Sequence, residues 1–328
     1  MDEALRPHIK RDRMPPNGSH DSSRSRQGRR RPRYSLARRE TLLFYACISP
    51  WLLGLLLFVL WPMVASLVIS LFRWDLLGEP SFIGWRNYDK LLTRDPLVLQ
   101  SLKVTALYTL AYVPIEMAGG LALALVMNQK LRFLGLFRTI YYLPSVLPGV
   151  AFVVLWMWIL HPDAGLINTL LSYVGIEGPR WLADPDWALP GLLMMSLWGL
   201  GRSMVIYLAS LQGIPRQLYE AASIDGAGPW PSFWRITLPM LTPTLFFNLV
   251  LSVISTFQTF TSAYVATDGG PLDSTLFYVL YIYRQAFTFR SMGYASALAW
   301  VLFVIILVLT LLIVRSSREW VYYEEETR

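Results

Sequence analysis

The polar and ionisable side chains embedded in long apolar runs are the part of this 328-residue chain that needs a chemical explanation. Glu116 and Arg202 each lie well inside such a run, where an isolated charge is costly and by default signals function. Around them in sequence stand Trp198 and Ser203, then Asn248, Ser252, Gln258 and Thr261, and later Ser296 and Trp300, one helical turn apart. These are amides, hydroxyls and indoles, groups that hold a polar solute by hydrogen bonds and ring faces and do not break bonds. The bland alternative is hydrogen bonding and packing between membrane helices, a common use of Ser, Thr and Asn. Opposite charges at Glu116 and Arg202 would relieve each other's desolvation, so a structural ion pair is the first expectation for them.

Bond-making machinery is hard to find. A phosphate-cradling loop needs Gly-Lys followed by Ser or Thr. The lysines are Lys10, Lys90, Lys103 and Lys130, and none has that setting. The chain has no HExxH helix, no GxSxG elbow and no paired aspartates within the apolar runs, so an intramembrane enzyme is a distant second reading. His8, His20 and His161 are scattered without metal-ligand spacing. Cys47 is the sole cysteine, which excludes an intrachain disulfide.

The elements that must position these groups follow from composition. Hydrophobic residues make up 54% of the chain, charged residues 16%, and the mean hydropathy is +0.41. The apolar residues come in long blocks, which makes this an all-α polytopic membrane protein. Six spans are predicted: 42–71, 97–127, 139–160, 188–212, 239–266 and 294–314. Trp61-Pro62 is expected to kink the first, and Pro144 and Pro148 to interrupt the third. Residues 1–40 form a basic, proline-punctuated tail that cannot bury enough surface to order itself. It is read as a cytoplasmic anchor touching anionic lipid. A nucleic-acid-binding arm is the less economical account, and no nucleic acid is expected as a partner. Trp51, Tyr141, Tyr142 and Trp320 are expected at the membrane interfaces, and Glu324–Glu326 as a solvated end.

Charge counting orients the spans. With the amino terminus inside, inside segments carry 20 of the 29 Lys and Arg residues, outside segments 7, and Lys103 and Arg202 lie within spans. That bias obeys the positive-inside rule and places both termini and the segment 214–238 in the cytoplasm.

This segment, continued to Pro243, reads IPRQLYEAASIDGAGPWPSFWRITLPMLTP. Pro215 suits a helix start, Arg216–Ile224 favours helix, and Gly226 and Gly228 favour reversal. Pro229 and Pro231 are expected to forbid a continuous helix, leaving a second short helix over 233–238 across the membrane surface. Glu220-Ala221-Ala222, then Gly226, then Ile236, Leu238 and Pro239 resemble the EAA signature of membrane subunits of binding-protein-dependent ABC importers. The fuller run from Glu220 through Asp225 to Ala227 resembles the carbohydrate branch, the maltose-transporter-like permeases. Phe82–Tyr88 and Thr267-Asp268-Gly269-Gly270-Pro271 resemble two external-loop motifs of the same branch. The resemblance covers about residues 40–315.

The resemblance implies a type I ABC importer permease fold in a bacterial plasma membrane. It divides the chain into the tail 1–40, a first transmembrane helix at 41–72, a permease core at 97–315 holding the coupling loop 214–238, and a cytoplasmic tail at 316–328. It implies half of a translocation pathway for a sugar or oligosaccharide. A second permease subunit would complete a heterodimer, two ATPase subunits would bind ATP and Mg, and an extracytoplasmic sugar-binding protein would deliver cargo. No cofactor is expected on this chain. Glu220, Ala221 and Ala222 would engage the ATPase, Asp225-Gly226 would set the turn that transmits closure to the fifth span, and Gln258, Ser296 and Trp300 would be the leading substrate contacts. Arg202 facing an aqueous cavity and meeting a phosphorylated sugar or polyol is the alternative to the ion pair. Amino acids, phosphonates and metals are disfavoured as cargo by the two external motifs.

Overall fold

A computed structural model describes residues 33–129 and 132–322. Most of the basic tail, Lys130 and the acidic end at 324–326 lie outside the described residues. The chain divides into two compact units, residues 1–60 and 61–328.

In the first unit, a helix over Arg33–Leu55 contains Pro50 and is followed by a π-helical turn at Leu56–Leu60. The sequence points to a kink at Trp61-Pro62; the backbone irregularity lies instead at Leu56–Leu60, ahead of it. Its side chains from residue 38 onward are mostly exposed, as a lipid-facing apolar helix requires. The candidate span Arg38–Ile69, with hydropathy 2.6, straddles the division between the units.

The second unit begins with a helix at Trp61–Ile69, followed by a two-residue antiparallel ladder in which Phe72 pairs with Phe82 and Arg73 with Ser81. The 82–88 motif explains itself here. Asn87 Nδ2 donates to the carbonyls of Ser70 at 2.7 Å and Phe72 at 3.0 Å, and the Tyr88 hydroxyl meets Ser70 Oγ at 2.8 Å. These bonds satisfy carbonyls left free where the helix ends. The last span docks on the same turn through Gly293, whose missing Cβ would otherwise lie 1.9 Å from the Phe72 carbonyl oxygen.

Among the described residues, five helices are long and apolar enough to cross a membrane: Arg38–Ile69, Pro96–Met127, Pro185–Gly213, Pro229–Ala266 and Met292–Trp320. A sixth exists if the bent pair Leu134–Val146 and Gly149–Ile159 counts as one span. The interruption expected at Pro144 and Pro148 is present, and it is sharp: the two halves meet at 103°. Leu147-Pro148 is the hinge: both residues are extended, and Pro148 starts the second half as its cap.

One expectation, that for the segment 229–238, is corrected. Pro229 and Pro231 do not break a helix; they occupy its first turn, where no N–H is needed, and the helix runs on through a π-helical stretch at Phe233–Thr237 into Leu238–Phe257. The separate surface helix over 233–238 is thus the root of the fifth span. Inside that span Pro243 has no N–H to offer the Pro239 carbonyl, and the Thr242 hydroxyl donates to it instead at 2.6 Å. Ahead of the last span, Tyr278–Tyr283 and the π-helical Arg284–Thr288 form a largely buried helix packed on the second span. Its first residue donates its backbone N–H to Thr105 Oγ1 at 3.0 Å.

Candidate functional site

Two features stand out, a cavity among the spans and a projection at one end of them. The cavity has a volume of about 470 Å³ and is bounded by the second, fourth and fifth spans and by Ser145 at the break in the third. Helical periodicity builds its walls. Tyr112 and Glu116 are one turn apart on the second span, and Gly199, Arg202, Ser203 and Ile206 share one face of the fourth. Asn248, Leu251, Ser252 and Ser255 share one face of the fifth, which ends with Gln258. Irregular backbone at membrane depth is tolerated where it lines such a cavity, and the Pro144–Pro148 break lies there.

Glycines let the walls approach. A Cβ on Gly201 would lie 2.0 Å from the Tyr141 carbonyl oxygen, so glycine at that position lets the fourth span rest against the broken third and places Arg202 beside it. A Cβ on Gly120 would lie 2.4 Å from Ser203 Oγ, so the second and fourth spans also meet through a missing side chain.

The charges are arranged differently from the ion pair expected first. Glu116 is buried at 8% exposure and accepts a hydrogen bond on Oε2 from Ser252 Oγ at 2.9 Å. Arg202 makes no ion pair with it; among the described residues only Arg94–Asp89, Arg284–Asp268 and Arg284–Asp273 do. Glu116 finds a neutral donor close by on the fifth span, and the Arg202 guanidinium is left exposed on the cavity wall. The Asn248 amide nitrogen is buried there without a hydrogen-bond partner.

Of the residues singled out in the sequence, the structure brings Arg202, Ser203, Asn248, Ser252 and Gln258 to this cavity. Trp198 packs its ring against Phe152 and Trp156, with centroids 5.7 and 5.6 Å away. Thr261 opens the short helix Thr261–Ala266 beyond it. Trp300 donates its indole N–H to Ser66 Oγ at 3.1 Å and so faces the first helix of this unit, and neither it nor Ser296 lines the cavity.

The projection is the helix Arg216–Ile224, none of whose residues is buried. Pro215 sits one place earlier than expected, as its cap. The helix closes in a Schellman turn: Gly226 adopts φ +77°, its N–H bonds to the Ser223 carbonyl at 3.1 Å, and the Ala227 N–H bonds to the Ala222 carbonyl at 2.8 Å. The Tyr219 hydroxyl meets Thr237 Oγ1 at 2.9 Å, tying this helix to the buried root of the fifth span. Around Glu220 the apolar residues Ile224 and Trp230 are 86% and 71% exposed.

A third cluster escaped the sequence reading. Asp95 caps the second span, accepting from the Leu97 N–H at 3.1 Å, while its other oxygen accepts from the hydroxyls of Tyr281 at 2.5 Å and Tyr294 at 2.6 Å. Gln285 Nε2 donates to the Tyr281 hydroxyl at 2.8 Å, and Lys90 Nζ lies 4.0 Å above the Tyr294 ring. Asp95-Pro96 carries a cap-plus-proline signal, but the tyrosines lie some 190 residues away in sequence and no local pattern names them. Burial, and then the bond to Asp95, push the Tyr281 hydroxyl above its ordinary pKa of 10 and keep it a donor.

Residues 117–320 match the family described as "Binding-protein-dependent transport system inner membrane component". The chain is 45% identical over 293 residues to the probable ABC transporter permease protein YesP of Bacillus subtilis (strain 168), covering 88% of this chain and 94% of that protein. It is 38% identical over 296 residues to the lactose transport system permease protein LacF of Rhizobium radiobacter, covering 88% and 98%. A chain from the crystal structure of a bacterial ABC transporter involved in the import of the acidic polysaccharide alginate superposes with a TM-score of 0.76 at 26% identity, over 87% of this chain and 98% of that one.

Proposed function

The chain belongs to the family of inner-membrane components of binding-protein-dependent transport systems, and from that premise we propose that it forms half of the translocation path of a sugar or oligosaccharide importer in a bacterial plasma membrane. The sugar permeases among its relatives, lactose and trehalose/maltose transport proteins included, support that cargo class. The lining of the cavity supports it as well, since hydroxyls, amides and a guanidinium can exchange hydrogen bonds with a polyol along its length. Arg202, Ser203, Asn248, Ser252 and Gln258 are the residues placed to do so; Trp198, Thr261, Ser296 and Trp300 would act from outside that wall.

The drive comes from separate subunits in this reading. Two ATPase subunits hold ATP and Mg, a second permease subunit completes a heterodimer, and an external binding protein delivers the sugar. The helix Arg216–Ile224 inserts into a cleft of an ATPase subunit, with Glu220 facing a basic group and Ala221 and Ala222 allowing close approach. Ile236, Leu238 and Pro239 carry the displacement into the fifth span. The observation that carries this is the exposure of the projecting helix, where Ile224 is 86% uncovered one turn after Glu220, on a helix anchored through Tyr219 and Thr237. Large uncovered apolar groups on a rigid projection mark a contact for another protein. In this reading the projection and both termini lie on the cytoplasmic side, an orientation that the Lys and Arg bias supports.

The test is reconstitution. Complexes in liposomes should accumulate a labelled oligosaccharide only with ATP on the ATPase side and binding protein on the other. Accumulation without the ATPase subunits would contradict the proposal.

A further inference from the structure

Glu116 and Arg202 line one cavity without pairing, and this arrangement bears on what the cavity admits. Glu116 has one carboxylate oxygen engaged by Ser252, which leaves the other as an acceptor. Arg202 is bound by no carboxylate among the described residues and offers its five N–H donors. No other formally charged side chain lines the cavity. A carboxylate and a guanidinium that bonded each other would be closed to a ligand; held apart, both stay open and their charges still cancel.

We propose that Glu116 and Arg202 leave this chain's wall of the passage electrically balanced and thereby favour uncharged polyhydroxyl compounds over anionic ones. The proposal rests on the cavity being the cargo path. A hydroxyl group is both donor and acceptor, so it can donate a hydrogen bond to Glu116 and accept N–H bonds from Arg202. A phosphorylated or carboxylated sugar gains from Arg202 but meets the Glu116 carboxylate in the same cavity, where like charges repel. Glu116, which no sequence motif marks, is the specificity-determining residue of the two. Arg202 alone would favour anions.

The field in the cavity can be read without knowing the cargo. In the intact complex in detergent, with Cys47→Ser as background, Gln258→Cys places a thiol at one end of the cavity and Ser145→Cys a second at the broken third span. The probes are the anionic sulfonatoethyl and the cationic trimethylammonioethyl methanethiosulfonates. Their modification rates are expressed as a ratio, normalised to free cysteine in the same buffer. With Glu116 and Arg202 in place, the ratio should lie within about threefold of free cysteine. Glu116→Gln should raise the anionic-to-cationic ratio on the order of tenfold, Arg202→Gln should lower it by a similar factor, and the double variant should restore it, since one unit charge in a confined cleft shifts the local potential by more than kT.

An unchanged ratio in Glu116→Gln, a parent cavity already favouring the anionic reagent tenfold, or thiols at both positions that neither reagent reaches would each overturn the proposal. No transport is needed for this readout. A failed sugar-uptake assay would strike the cargo reading and leave the charge balance standing, while a failed rate ratio would do the reverse.

Discussion

Ser252 on the fifth span donates its hydroxyl to Glu116 on the second at 2.9 Å, so one neutral side chain holds the buried carboxylate of the cavity in place. A hydrogen bond to a charged group is worth about 1.5–3 kcal/mol, and a carboxylate stripped of its donor carries an added desolvation cost. Ser252→Ala should therefore lower the thermal midpoint of the purified complex, and Ser252→Thr, which keeps the hydroxyl, should recover most of the loss. Equal midpoints for Ser252→Ala and the parent would show that this bond holds nothing.

The fourth span meets the broken third across Gly201, and there is no room for a methyl group. Gly201→Ala places a Cβ 2.0 Å from the Tyr141 carbonyl oxygen, a backbone atom that cannot swing aside. Overpacking of this kind costs about 1–3 kcal/mol, so the expected result is reduced yield and a lower midpoint. Gly199→Ala, two residues away with open space around it, serves as the control and should match the parent.

Tyr219 and Thr237 join the projecting helix to the span behind it. Tyr219→Phe removes one hydroxyl contact of about 0.5–1.5 kcal/mol from a helix with no buried residue, which should loosen it without unfolding the complex. Hydrogen exchange of residues 216–224 should speed up several-fold while the fifth span is unaffected. Unchanged exchange in the projecting helix would remove this pair from the load path.

At the other end of the second span, Tyr281 is kept protonated by burial and by its bond to Asp95. Its folded pKa is raised above the unfolded value of 10. The linked stability is therefore fully present below about pH 10 and is lost as pH climbs through the folded value. Parent and Tyr281→Phe complexes should show parallel stability from pH 7 to about 10, and the parent alone should lose extra stability above it. Parallel behaviour throughout would mean that the hydroxyl titrates normally.

Much of this architecture is legible in local sequence. Long apolar runs mark the spans, and the cavity-lining set at 199, 202, 203 and 206 and at 248, 252 and 255 follows from the helical repeat once a polar residue has been noticed. The Gly226 turn is equally readable, since its left-handed backbone is written in the residue type. What the sequence hides is partner choice between distant segments. Charge alone suggested that Glu116 should find Arg202, but a serine on a third helix lies closer, and no pattern within one helix records which helix is its neighbour. Trp300 faces Ser66 for the same reason. Prolines misled in the opposite direction: Pro229 and Pro231 look like breakers until their place in a first turn is known, whereas Pro148 does mark a bend of 103°.

The most direct test of the account is the number of sugar molecules imported per ATP hydrolysed by complexes carrying Gly226→Leu. At φ +77° a leucine is strained by about 1–2 kcal/mol, and the Schellman turn that braces Arg216–Ile224 should open. The account predicts normal assembly in the membrane with binding-protein-stimulated import per ATP reduced tenfold or more. An unchanged ratio in a complex shown to contain the variant would contradict the claim that this helix hands the work of ATP hydrolysis to the passage.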